Sequence, residues 1–136
     1  MSRTYELVRK IVQEQKYKVV DDDGENLVIN YQMNAIFIFA TMGVENFVSM
    51  VLPDFADVTE ENFSEVVMNC HDLNAKELQV KFYTMEGRVV VSSEFYYLGE
   101  KDLLFQMKMA LHNLIEAKVS YQRIDGAWLP QRDSFK

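Results

Sequence analysis

The sequence predicts an α+β fold: one antiparallel sheet with helices packed on one face, in the order α-β-β-β-β-α-β-β-α. Three observations carry this. Apolar residues recur at helical spacing in three segments, and six short runs are rich in β-branched and aromatic residues. The strands come in runs instead of alternating singly with helices, which favours antiparallel pairing over a parallel sheet. The 136 residues, 49% of them hydrophobic, suit one core. Residues 1–125 are therefore assigned to a single domain and 126–136 to a C-terminal tail.

Residues 4–15 set Leu7, Val8, Ile11 and Val12 against Glu6, Arg9, Lys10 and Gln13, the pattern of an amphipathic first helix. Tyr17-Lys18-Val19-Val20 and Leu27-Val28-Ile29-Asn30-Tyr31 flank Asp21-Asp22-Asp23-Gly24-Glu25 and read as two strands with a short connection. Residues 35–41 (AIFIFAT) and 46–52 (NFVSMVL) complete a four-stranded meander. Pro53, Asp54 and Asp57 interrupt it. Thr59 is a candidate N-cap for a second helix over 59–73, with Glu60 and Glu61 in its first turn and Phe63, Val66, Val67, Cys70 and Leu73 as its buried face. Residues 78–84 (LQVKFYT) and 88–98 (RVVVSSEFYYL) form a hairpin through Glu86-Gly87, where glycine supplies the positive φ of a tight turn. The third helix spans 100–122, with Leu103, Leu104, Met107, Ala110, Leu111, Leu114, Ala117 and Tyr121 on one broad face.

Composition narrows the function classes. With 21 acidic and 14 basic residues the formal charge is −7, so the long-range field repels phosphate backbones and anionic lipid surfaces. Neither nucleic acid nor membrane is expected as a partner. The first residues lack the apolar core of a signal peptide, and no run approaches the roughly 20 apolar residues of a membrane span, so a cytoplasmic location is the expectation. The single cysteine, Cys70, excludes an intramolecular disulfide and a multi-cysteine zinc site.

Three clusters suggest chemistry, and each has a plainer reading. An EF-hand loop aligned on Gly24 puts Val19 at its first position and Asn30 at its twelfth, where carboxylates are required. The Asp run therefore reads as a hairpin connection whose side chains bond nearby backbone amides. Cys70-His71-Asp72 names a nucleophile, a base and an acid, but consecutive helical residues point about 100° apart, and Cys70 shares the apolar face. His112 stands on the outward side of the third helix near Glu116, with no cysteine pair or second histidine beside it. No nucleotide, hydrolase or metalloprotease motif occurs, so no cofactor, metal or catalytic residue is assigned.

Surplus apolar surface is the more informative feature. Phe105, Met109 and Val119 point away from the main face of the third helix. On the strands, Phe37 and Phe39 alternate with Ile36 and Ile38, and Val90, Tyr96 and Leu98 alternate with Val89, Val91, Phe95 and Tyr97. Helices on one face cover only one member of each set, leaving the other for a partner chain or for the chain's own loops and tail. Phe105, Met109, Val119, Val90, Tyr96 and Leu98 are accordingly the expected partner-binding residues.

Residues 66–114 resemble the YbjN-like family, the proposed bacterial sensory transduction regulators, whose fold is similar to that of type III secretion chaperones. The resemblance is carried by Asn69 and Asn74, the Lys81-Phe82-Tyr83 strand, the Gly87 turn and the long amphipathic final helix. It implies a chaperone-like, non-enzymatic module that binds or regulates a protein partner or client, often as a homodimer. An alternative is a small-molecule or peptide sensor with a pocket between sheet and third helix, lined by Tyr83, Phe95, Tyr97 and Met107. An enzyme built on Glu94, Tyr96 or His112 requires those groups to converge.

Overall fold

A computed structural model describes residues 2–125 of the chain. The order is α1 (Arg3–Glu14), β1 (Lys18–Asp22), β2 (Asn26–Tyr31), β3 (Asn34–Phe39), β4 (Phe47–Leu52), α2 (Phe63–Lys76), β5 (Lys81–Met85), β6 (Arg88–Tyr96) and α3 (Glu100–Asp125). Fold class and element order are as the sequence predicts. The C-terminal tail with Trp128 lies outside the described residues.

The six strands form one antiparallel sheet in the order β1-β2-β3-β4-β6-β5. The first four make the expected meander. The second hairpin then joins in reverse, so β6 pairs with β4 and β5 becomes an edge. The strand sequences explain the choice. Val89 to Ser93 in β6 are buried without interruption, as an interior strand requires, whereas β5 ends in exposed Lys81 and Met85.

All three helices contribute to one core on one face of the sheet. Val8, Ile11 and Val12 of α1, Val66, Cys70 and Leu73 of α2, and the predicted apolar face of α3 meet Ile29, Ile36, Ile38, Met50, Leu52 and Val91. Each such side chain, fully buried, contributes roughly 1.5–3 kcal/mol. At the Asp run, Asp22 Oδ1 accepts the Gly24 N–H at 2.9 Å, and Asp23 Oδ1 accepts those of Glu25 and Asn26 at 2.9 and 2.7 Å. The Tyr5 hydroxyl, on α1, donates to both Asp22 oxygens at 2.6 and 2.8 Å. The run is thus a hairpin connection fastened to the first helix.

Several boundaries differ from the sequence reading. The α2 helix starts at Phe63, because Thr59 and Asn62 first close a turn: the Thr59 N–H donates to Asn62 Oδ1 at 2.7 Å and the Asn62 N–H to Thr59 Oγ1 at 3.2 Å. Phe63 and Val67 are exposed, since only the narrow Val66-Cys70-Leu73 seam meets the core. Strand β5 begins at Lys81, three residues late, after Gln79 takes a φ of 61° that an extended strand cannot hold.

Candidate functional site

The face of the sheet opposite the helices is covered by no other element among the described residues. Strand alternation delivers its side chains: Phe37 and Phe39 from β3, Phe47, Ser49 and Val51 from β4, Lys81, Tyr83 and Met85 from β5, and Val90, Ser92, Glu94 and Tyr96 from β6. Phe37 and Phe39 lie with ring centroids 6.2 Å apart, and Phe47 and Tyr96 5.0 Å apart. Lys81, on the edge strand β5, reaches across to β6, donating to Glu94 Oε1 at 2.7 Å with its ammonium 5.8 Å from the Tyr83 ring centroid. The hydrogen bond to the Glu94 carboxylate raises the Lys81 pKa above the usual lysine value, so the ammonium stays charged at neutral pH.

One end of this face is recessed into a groove of about 440 Å³. Phe37 and Phe39 flank it from β3, and Tyr83 and Met85 from β5. Val51 and Val90 lie between them on the intervening strands. Pro53, Asp54, Glu86 and Arg88 close the end. Arg88 pairs with Asp57 and, through Nε, with Asp54 Oδ1 at 3.9 Å. The result is an apolar trough with a net acidic end, suited to hold an apolar side chain.

The sheet edges discourage pairing in two different ways. At β5, Asn74 of α2 bonds both backbone groups of Phe82, Nδ2 donating to the carbonyl at 2.9 Å and Oδ1 accepting the N–H at 2.6 Å. At β1, every residue is exposed, Lys18, Asp21 and Asp22 carry charge, and the register shifts between Val19 and Asp21. Charge and a bulge both discourage strand addition.

No protein-family model matches the sequence, and no curated protein does. Among solved structures, the crystal structure of YbjN from E. coli, described as a proposed transcription regulator, superposes with a TM-score of 0.67 over 90% of each chain at 10% identity. The fold is YbjN-like. An uncharacterized protein from Methanothermobacter thermautotrophicus shares it, with a TM-score of 0.62 and 17% identity, over 96% of this chain and 98% of that one. At such identities the likeness concerns the fold alone.

The YbjN-like frame separates the six residues expected to bind a partner. Val90 belongs to the groove but is only 4% exposed, because the flanking side chains rise above it. Tyr96 is 66% exposed and sits on Phe47 toward the far end of β6. Leu98, 94% exposed, is beyond the strand, where its N–H donates to Asp102 Oδ2 at 2.8 Å. It borders a second recess, of about 710 Å³, between the start of α1 and the exposed connection from β3 to β4. Phe105 and Met109, 60% and 37% exposed, are on α3 across the sheet, and Val119 is half-buried.

Two other expected constellations do not form. Tyr97 and Met107 are buried in the core, while Tyr83 lines the groove on the opposite face, so the four residues expected to make a sensor pocket do not share one. Glu94 and Tyr96 lie on the open face and His112 on α3, across the sheet from them. Cys70 is buried, and desolvation pushes its thiol pKa up, while His71 and Asp72 are exposed. Sequence reasoning missed Phe37, Val51, Tyr83 and Met85 as a group. Alternation in each strand signals an outward side chain, but only the strand order brings these four together.

Proposed function

We propose that the chain is a non-enzymatic regulatory module that binds an extended apolar segment of a partner protein in the groove between Phe37 and Tyr83. The observation that carries this is the aromatic sheet face that no other described element covers. The Asn74 clamp on β5 and the charge and bulge on β1 favour docking on the face over addition of a strand. The description of E. coli YbjN as a proposed transcription regulator supports a regulatory role. A formal charge of −7 favours a protein over DNA as the object of that regulation. The finer form of this reading is a cytoplasmic, chaperone-like domain over residues 1–125 that engages a client, with a homodimer contact left to the Phe105–Met109 stripe of α3.

A displayed peptide library panned against the immobilised chain tests it. Enriched peptides should carry apolar or aromatic side chains at alternating positions. Their affinity should fall about tenfold or more, equivalent to ~1.4 kcal/mol, on Val51→Asp or Tyr83→Asp, and stay constant on Phe105→Asp. Enrichment of nothing, or binding indifferent to both groove substitutions, overturns the assignment.

A further inference from the structure

We propose that the partner segment taken by this groove is basic as well as apolar: two apolar side chains at alternate positions, then on the same side a lysine or arginine that meets Asp54 and Glu86. This deepens the reading of the sheet face as a binding surface and rests on it.

The spacing comes from the strands. The groove has its walls on β3 and β5 and its floor on β4 and β6, so it runs along the strand direction. Three rows of outward side chains cross it. Val51 lies opposite Phe37 in the first, Val90 opposite Tyr83 in the second, and Arg88 opposite Met85 in the third. Successive rows on one face are two residues apart, about 6.6–6.8 Å. An extended segment laid along the groove repeats at the same interval, so its side chains at i, i+2 and i+4 fall over the three rows in turn. The first two rows are apolar. The third is where the charge stands.

That charge is negative and only partly compensated. Asp54, Asp57 and Glu86 are exposed around one guanidinium, so three carboxylates less one cation leave a formal −2. Arg88 is committed to Asp57 and reaches Asp54 only at 3.9 Å, and Glu86 has no ion pair among the described residues. Beyond the other end, Lys81 and Glu94 already neutralise each other. The chain's formal −7 has the same sign as the third row. Both favour a cationic segment, and both oppose a second copy of this chain, which brings the same acidic end with it.

Fluorescence anisotropy tests this with labelled serine- and glycine-based peptides that carry leucine, phenylalanine and lysine at alternate positions, made in both chain orders. The controls have glutamine in place of lysine. The tighter lysine peptide should bind about threefold to tenfold more tightly than its glutamine counterpart, the effect of one or two exposed ion pairs. The preference should vanish in the double variant Asp54→Asn with Glu86→Gln, since asparagine also accepts the φ of 59° at that position. It should survive Asp72→Asn with Glu116→Gln, an equal charge change on exposed helix positions across the sheet. Both peptides should lose affinity in Tyr83→Ser. Equal binding of lysine and glutamine peptides, each dependent on Tyr83, overturns the basic segment and keeps the groove. A lysine preference that the helix-side variant removes equally well, or that ignores Tyr83→Ser, marks general attraction to an acidic chain and overturns it too. So does a chain that sediments as a dimer and becomes monomeric on Tyr83→Ser, which gives the groove to a second copy. Failure of every peptide, library-selected ones included, removes the binding face itself.

Discussion

Replacing Asn74 with alanine tests how the free edge of the sheet is held. Asn74 makes two hydrogen bonds, at 2.9 and 2.6 Å, with the backbone carbonyl and N–H of Phe82, the groups of β5 that face away from β6. An intramolecular hydrogen bond contributes about 0.5–1.5 kcal/mol net, and a buried group left unsatisfied costs about 1–3 kcal/mol. Phe82 is itself buried, yet Asn74 is exposed, so water partly replaces the lost partners. The expected loss is about 2 kcal/mol, equivalent to a melting temperature lower by roughly 6–10 °C for a chain of this size. Urea unfolding followed by circular dichroism should show a lower midpoint with the slope unchanged. Asn74→Asp should be no better than alanine, because a carboxylate keeps the acceptor for the N–H but sets negative charge against the carbonyl. A loss below about 0.5 kcal/mol, within the ±0.5 typical of plain surface substitutions, or an aspartate variant as stable as wild type, refutes the account of Asn74 as the lock on β5.

Two further outcomes follow from titratable groups. The Tyr5 hydroxyl and then the Gly24 N–H hold the Asp22 pKa below the usual carboxylate value, so Asp22 contributes stability above its unfolded pKa of about 3.9 and loses it as pH falls through the lower folded value. Wild type should therefore lose more stability between neutral pH and pH 3 than Asp22→Asn does, and parallel pH profiles in urea unfolding would show that the bond is worth nothing. Cys70 is buried with its thiol pKa raised by desolvation, so iodoacetamide should label the native chain far more slowly than the urea-unfolded one; equal rates contradict the packing of α2.

What the sequence shows about this fold depends on whether the signal is local. The α3 face is written in periodicity, and seven of its eight predicted positions are fully buried, with Leu104 half-buried. The Glu86-Gly87 turn is equally plain, since glycine marks the positive φ of 77°. The turn between β2 and β3 makes the same demand with Gln32 and Met33, at φ of 49° and 67°, and no glycine signals it. Asn34 supports that turn instead, donating from Nδ2 to the Gln32 carbonyl at 2.8 Å and accepting from Lys118 of α3 at 2.6 Å. The candidate site is less legible still. Its members come from four strands, and β6 lies between β4 and β5 because of burial preferences spread over the whole sheet.

Pro53 explains why the open face is recessed at this end. Val51 faces Phe37, so in an unbroken ladder Pro53 faces Ala35 of β3, and proline has no N–H to give it; regular pairing with β6 ends at Leu52 opposite Val91. Pairing resumes at Asp57 opposite Arg88, with the Val58 N–H donating to the Gly87 carbonyl and the Val89 N–H to the Ala56 carbonyl, each at 2.9 Å. From Leu52 to Asp57 is five residues on one side, against three from Val91 to Arg88 on the other, so two extra residues must leave the sheet. They do so at Pro53 and Asp54, where Asp54 takes a φ of 59°. The excursion places these two residues beside Val90 as one wall of the groove. The same bulge carries Phe55 to the α3 side, where it meets Tyr121. A single residue that reads in the sequence as the end of a strand thus shapes the groove on one face and the contact with α3 on the other.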